Sequence, residues 1–184
     1  ILGAGISGLT AAINLEKKGY EVEIIEKNDR VGGRVRTDEH QGYKLDIGSQ
    51  VLLDAYPMAK KYLDYEKLKL NKLKSGAVIF DKGKQYRIGD PTRDLSFLLP
   101  TVFAPVGSLK DKLLILKLNI DLKRKSIDQI FASKSVSTLE YLKKKGFSDR
   151  MIRMFFRPFF TGIFLEDQLR TSSRMFEFVY KMFG

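Results

Sequence analysis

The feature that most constrains this chain is Gly3-Ala4-Gly5-Ile6-Ser7-Gly8, a G-x-G-x-x-G hexapeptide within its first eight residues. Glycines at these intervals permit a tight turn and let other groups come close to bare backbone. The flanks limit what the turn can join. Ile1 and Leu2 read as the end of a buried strand, and Ile6 to Lys18 as a helix with Leu9, Ala12, Ile13 and Leu15 at helical spacing. Gly19 stops that helix, and the β-branched run Glu21 to Glu26 reads as a second buried strand.

A strand, glycine turn, helix and strand in that order form a Rossmann entry. Backbone N–H groups at the turn and the positive end of the helix then face a pyrophosphate. Glu26 falls at the end of the second strand, where a carboxylate accepts hydrogen bonds from the hydroxyls of an adenosine ribose. It would repel a 2′-phosphate, so the adenosine half belongs to FAD or NAD rather than NADP. The segment Arg30-Val31-Gly32-Gly33-Arg34-Val35-Arg36-Thr37 follows. Paired glycines let a loop fold back over a dinucleotide, and an arginine beside them meets phosphate with a planar fork of donors. This segment favours FAD over a nicotinamide cofactor.

With the fingerprint, the acid and the Gly-Gly-Arg loop in this order, the sequence resembles the flavin-containing amine oxidase and phytoene desaturase-like superfamily. Asp46-Ile47-Gly48-Ser49-Gln50 is similar to that superfamily's D-x-G segment near the flavin ring, with Ser49 where many members have a second glycine. The resemblance implies a cofactor-binding set of Gly3, Gly5, Ile6, Ser7, Gly8, Glu26, Lys27, Gly32, Gly33, Arg34, Gly48 and Ser49, with FAD as the cofactor. Residues 156–164 and 169–174 resemble a substrate-domain segment of phytoene desaturase-like members. Their aromatic side chains are equally compatible with an ordinary helical core.

The expected fold class is α/β: an incomplete Rossmann-like FAD-binding domain with a β-hairpin excursion, followed by a mainly helical part of a substrate domain. The hairpin is expected at Ala77 to Phe80 and Gln85 to Ile88, turning through Asp81-Lys82-Gly83. Helices are expected from Tyr56-Pro57 to Tyr65, from Ser108 to Arg124, and from Ser137 to Lys145 behind a Ser137/Glu140 capping box. A further one runs from Ser148 to Phe156, stopped near Pro158. The change of pattern places a boundary near residue 90, giving a first region 1–90 and a second region 91–184. The near-absence of a strand before Gly3 and of a second cofactor motif before Gly184 reads as an excerpt of a longer chain, inactive by itself.

Composition narrows the chemistry. There is no Cys and one His, His40, so disulfides, thiolate nucleophiles and multi-histidine metal centres are excluded, and no metal is expected. The net charge of +11 favours anionic partners. Lysines interleaved with acids, without a basic-aromatic recognition motif, argue against nucleic acid. No stretch approaches the ~20 apolar residues of a membrane span. The expected location is cytoplasmic. Lys117, Lys123, Arg124 and Lys125 beside Leu113, Leu114, Leu116 and Leu118 suit either peripheral contact with an anionic membrane or a core helix with a solvated basic face.

The resemblance implies hydride removal from a small, apolar substrate of isoprenoid or polyene type. Amine or protoporphyrinogen oxidation on the same scaffold is the alternative, and a non-catalytic dinucleotide-binding or membrane-associated protein is the alternative of another class. Hydride removal needs no acid-base dyad, and no catalytic residue is singled out. Substrate, electron acceptor and oligomeric state are written in no motif.

Overall fold

The structure is a computed structural model, describing residues 1–48, 51–91 and 93–183. The chain divides into two compact units, Ile1–Leu68 and Lys69–Gly184.

The first unit begins with the expected turn into helix α1 (Ile6–Glu16), which ends two residues before Lys18 as Gly19 enters positive φ (85°). The second strand is reduced to a parallel bridge between Leu2 and Ile25, with Ile25 58% exposed. Only Ile1 and Leu2 lie beside it, too few residues for a ladder. The polar stretch from Lys27 to Gln41 contains a strand, β1 (Thr37–His40), paired antiparallel with β2 (Tyr43–Asp46). The two turn residues between them, Gln41 and Gly42, both have positive φ (51° and 82°), as a twisted two-residue hairpin requires. The helix expected from Pro57 to Tyr65 breaks at extended Leu63 into α2 (Pro57–Tyr62) and α3 (Tyr65–Leu68).

The second unit opens with the expected hairpin, β3 (Gly76–Asp81) and β4 (Lys84–Gly89), in register Asp81↔Lys84 across Lys82-Gly83. Ile79, Tyr86 and Ile88 pack on the helical core. The compact units therefore part at Leu68 and Lys69, ahead of the change of pattern near residue 90. Helices α4 (Leu98–Phe103), α5 (Leu109–Arg124), α6 (Ile127–Ala132) and α7 (Thr138–Lys144) follow. Complete capping boxes start α5, from Ser108 and Asp111, and α6, from Ser126 and Gln129. At α7 the Ser137 hydroxyl accepts the Glu140 N–H at 3.1 Å.

Pro158 does not stop the next helix. Short α8 (Asp149–Met151) runs into a π-helical turn at Ile152–Phe156, and α9 (Arg157–Phe164) continues with the proline in its first turn. Arg157 N–H reaches back five residues to the Ile152 carbonyl, and this wider turn absorbs a residue that has no N–H to donate. The segment before α10 (Ser173–Phe183) is fastened to the start of α7, with Thr138 N–H on the Thr171 carbonyl at 2.8 Å and Ser173 N–H on the Val136 carbonyl at 2.8 Å.

Aromatic rings fill the core of this unit. Phe156, Phe160 and Phe176 are fully buried, with centroids 4.8 Å apart for Phe160 and Phe176 and 5.9 Å for Phe156 and Phe176. The phenylalanines of the substrate-domain-like segment therefore include core residues at 156 and 160. A buried carboxylate joins three elements: Glu177 of α10 accepts from Tyr141 Oη of α7 at 2.8 Å and from Lys125 Nζ, at the end of α5, at 2.5 Å. Burial, then the neighbouring carboxylate, keeps the Tyr141 phenol protonated well above the ordinary range.

Candidate dinucleotide site

The glycine hexapeptide is built by three contacts. Gly3 takes a φ of 93°, and its N–H donates to the Ile25 carbonyl at 2.8 Å, turning the chain off its short strand. A Cβ at Gly8 would lie 2.0 Å from the Gly3 carbonyl oxygen, so only glycine lets α1 return against the turn. Gly5 is the helix N-cap, has no side-chain capping bond, and faces open space where a Cβ would stand. The N–H groups of Ile6, Ser7 and Gly8 belong to the first turn of α1, which has no intrahelical acceptor for them.

Glu26 stands beside this turn. Its Oε2 accepts from Ala4 N–H at 2.6 Å, and its Oε1 accepts from Asn28 N–H at 2.9 Å and Asn28 Nδ2 at 2.8 Å. These bonds, the one from Ala4 first, hold its pKa down to about 2 from the ordinary 4.5. The carboxylate is thus fixed and ionised at neutral pH. Asn28 was not singled out from the sequence. The signal was an amide two residues after a strand-end acid, where it can cap the turn. Lys27 between them is exposed.

The Gly-Gly-Arg loop closes on the hexapeptide. Gly32 N–H donates to the Ala4 carbonyl at 2.8 Å, and a Cβ at Gly33 would lie 3.2 Å from Gly5 Cα. A short 3₁₀ turn, Gly33–Val35, carries Arg34. Arg30 and Arg36 both pair with Asp38. Arg34 has no acidic partner among the described residues.

The D-x-G segment arrives at the same place. A Cβ at Gly48 would lie 2.8 Å from the Arg34 carbonyl oxygen, and Ile47 N–H donates to the Arg36 carbonyl at 3.2 Å. Asp46 is occupied within its hairpin, accepting from Thr37 Oγ1 at 2.5 Å. Ser49 lies outside the described residues. Four separated stretches, around Gly3–Gly8, Glu26, Gly32–Arg34 and Gly48, are therefore linked within one unit, Glu26 through its carboxylate and the others through backbone. His40 lies in exposed β1. Among the described residues no group of acids and histidine is arranged to hold a metal ion.

The sequence profile of flavin containing amine oxidoreductases matches residues 6–183. The chain belongs to that family. An L-amino-acid oxidase of Trimeresurus stejnegeri is 31% identical over 156 residues, 79% of this chain and 30% of that protein. A 4,4'-diapolycopen-4-al dehydrogenase of Metabacillus indicus is 53% identical over 53 residues, 29% of this chain and 11% of that protein. A double mutant of putrescine oxidase superposes with TM-score 0.51 and 28% identity over 82% of this chain and 34% of the other. The chain spans under a third of the length of the curated relatives it matches.

As a member of the flavin containing amine oxidoreductases, the chain carries FAD as its implied cofactor, and the site suits a dinucleotide in three respects. The uncapped start of α1 beside open space at Gly5 suits a pyrophosphate, Glu26 is a fixed anion, and Arg34 is a cation with no acidic partner among the described residues.

Proposed function

We propose that the full-length protein is an FAD-dependent oxidoreductase in which residues 1–68 hold the adenosine and pyrophosphate half of the cofactor. The observation that carries this reading is the linkage of the Gly3–Gly8 turn, the Gly32–Arg34 loop and Gly48 through backbone, with the Glu26 carboxylate bonded to the turn at Ala4 N–H. Ile6, Ser7 and Gly8 offer N–H groups to pyrophosphate. Glu26 accepts from a ribose hydroxyl, using the capacity its three existing bonds leave on a carboxylate with room for about four. Lys27 and Arg34 supply positive charge, and Gly33 and Gly48 let their loops approach neighbouring backbone closely. Bound FAD supplies the hydride acceptor. The chain's own residues bind, orient and set the local charge.

For the substrate, the reading is an apolar small molecule of polyene type, supported by the likeness to a 4,4'-diapolycopen-4-al dehydrogenase. An apolar surface also supports it. Leu99, Phe103, Leu109 and Leu113 on α4 and α5 are 65–78% exposed, near Lys110 and Lys117, a composition suited to peripheral contact with an anionic bilayer. No described helix is long and apolar enough to cross a membrane. Amine or amino-acid oxidation is the second reading, favoured by the longer match to an L-amino-acid oxidase.

The test is an absorption spectrum of the purified full-length protein with chromatographic identification of released cofactor, followed by anaerobic incubation with polyenes, amines and amino acids in turn. Bound FAD bleached by one of these classes supports the proposal and names the class. A colourless protein that takes up no added FAD overturns it.

A further inference from the structure

A cavity lies within the second unit. The groove between α7 and the α8–π–α9 rod holds a cavity of about 270 Å³ lined by Leu139, Lys143, Asp149, Ile152, Arg153 and Arg157. Three cations and one carboxylate therefore surround it. Asp149, Arg153 and Arg157 recur at four-residue intervals along the rod, while Leu139 and Lys143 recur at the same interval on α7. Among the described residues none of the three cations forms an ion pair. The Nε of Arg157 is shielded from solvent and has no hydrogen-bond partner.

Like charges gathered around one cavity repel, and a buried guanidinium donor left unpaired carries a desolvation cost. Both are relieved by a small, multiply charged oxyanion. Two guanidinium groups offer paired donors in a plane, the geometry that phosphate oxygens accept, and Lys143 adds a compact charge from the facing helix. Leu139 and Ile152 give the cavity an apolar wall. The volume lies just below the range usual for drug-sized ligands and exceeds the needs of a water molecule.

We propose that Lys143, Arg153 and Arg157 form a binding site for a phosphate or diphosphate group, borne by a soluble ligand or by a lipid headgroup. The site is independent of the dinucleotide turn and of the redox reading.

The experiment uses the full-length protein saturated with FAD, so that the glycine turn is occupied, and titrates inorganic pyrophosphate by calorimetry at fixed ionic strength. Saturable binding is expected, weakened at least tenfold by Arg157→Gln and also by Lys143→Gln. Exposed Lys143 makes the second variant decisive if the first fails to fold. Vesicles containing phosphatidic acid separate the two sources: retention lost in the same variants assigns a headgroup, while pyrophosphate binding without vesicle retention assigns a soluble ligand. Absence of saturable binding to both probes, or binding unchanged in Lys143→Gln and in a folded Arg157→Gln, overturns the proposal.

Discussion

The carbonyl oxygen of Gly3 occupies the space that a Cβ on Gly8 would need, 2.0 Å from where that atom would stand. The obstacle is backbone at a turn already held by the Gly3 N–H bond to Ile25, so it cannot rotate aside as a side chain would. Gly8→Ala is therefore expected to push α1 off the turn, costing about 3 kcal/mol or more and abolishing FAD binding. Gly5→Ala meets no atom within 4 Å and occupies the space assigned to pyrophosphate. It is expected to cost about 1 kcal/mol or less, through the N-cap position, while weakening FAD binding more than tenfold. Urea denaturation and flavin titration of the two variants check the contrast, and equal effects on stability would contradict it.

Glu26 makes stability depend on acid in a defined window. Its folded-state pKa of about 2 lies below the ordinary 4.5, so its contribution is fully present above about 4.5 and is lost as pH falls toward 2. Comparing Glu26→Gln with the parent protein isolates this contribution. The difference in Tm is expected to be constant from neutral pH to about 5 and to shrink below 4.5. A difference that instead grows on acidification would show that Ala4 and Asn28 do not hold the carboxylate in its charged form.

Arg34 is predicted to act on the cofactor alone. Arg30 and Arg36 share Asp38, whereas Arg34 has no acidic partner among the described residues. Arg34→Gln is expected to weaken FAD binding about ten- to hundredfold, the range for losing a charge-assisted hydrogen bond, with little change in Tm. Arg36→Gln is expected to leave affinity close to the parent's. Flavin fluorescence titrations of both variants decide the assignment.

The sequence made some of this legible because certain elements depend on local chemistry. Lys82-Gly83 supplies two positive-φ residues between alternating strands, and that alone specifies the β3–β4 hairpin. The Gly3–Gly8 turn was readable for the same reason. The β1–β2 hairpin has the same kind of turn at Gln41-Gly42 but was not legible, because Thr37 to His40 is polar and lacks the apolar run of β3. Continuation of the helix past Pro158 was also hidden. It depends on a π turn whose register is set by packing of Phe156 and Phe160, which no local propensity encodes. The contact of Gly48 with Arg34 illustrates the remaining case: both residues were candidates, but their proximity follows from the return of β2 along β1.

One carboxylate fastens two helices in the second unit, and removing it yields the largest stability loss expected outside the dinucleotide site. Asp111 is 1% exposed, and it accepts Ser148 N–H at 2.8 Å on Oδ1. Its Oδ2 takes Ser108 N–H at 2.7 Å and the hydroxyls of Ser108 and Ser148 at 2.7 and 2.8 Å. The caps of α5 and α8 therefore share one acceptor. Burial by itself would raise its pKa, but the bonds from Ser148 and Ser108 outweigh burial and hold it below the ordinary 3.8. Asp111→Ala uncovers both helix starts, and two lost caps amount to about 2–4 kcal/mol. Asp111→Asn keeps the shape but accepts on one oxygen only, and is expected to lose about half as much. Since the folded-state pKa is depressed, the parent's advantage over Asp111→Asn is present above about pH 4 and fades as pH drops through the folded value. Hydrogen exchange at the amides of Ser108 and Ser148 should accelerate together in both variants. Acceleration at one start alone would show that the two caps are not coupled.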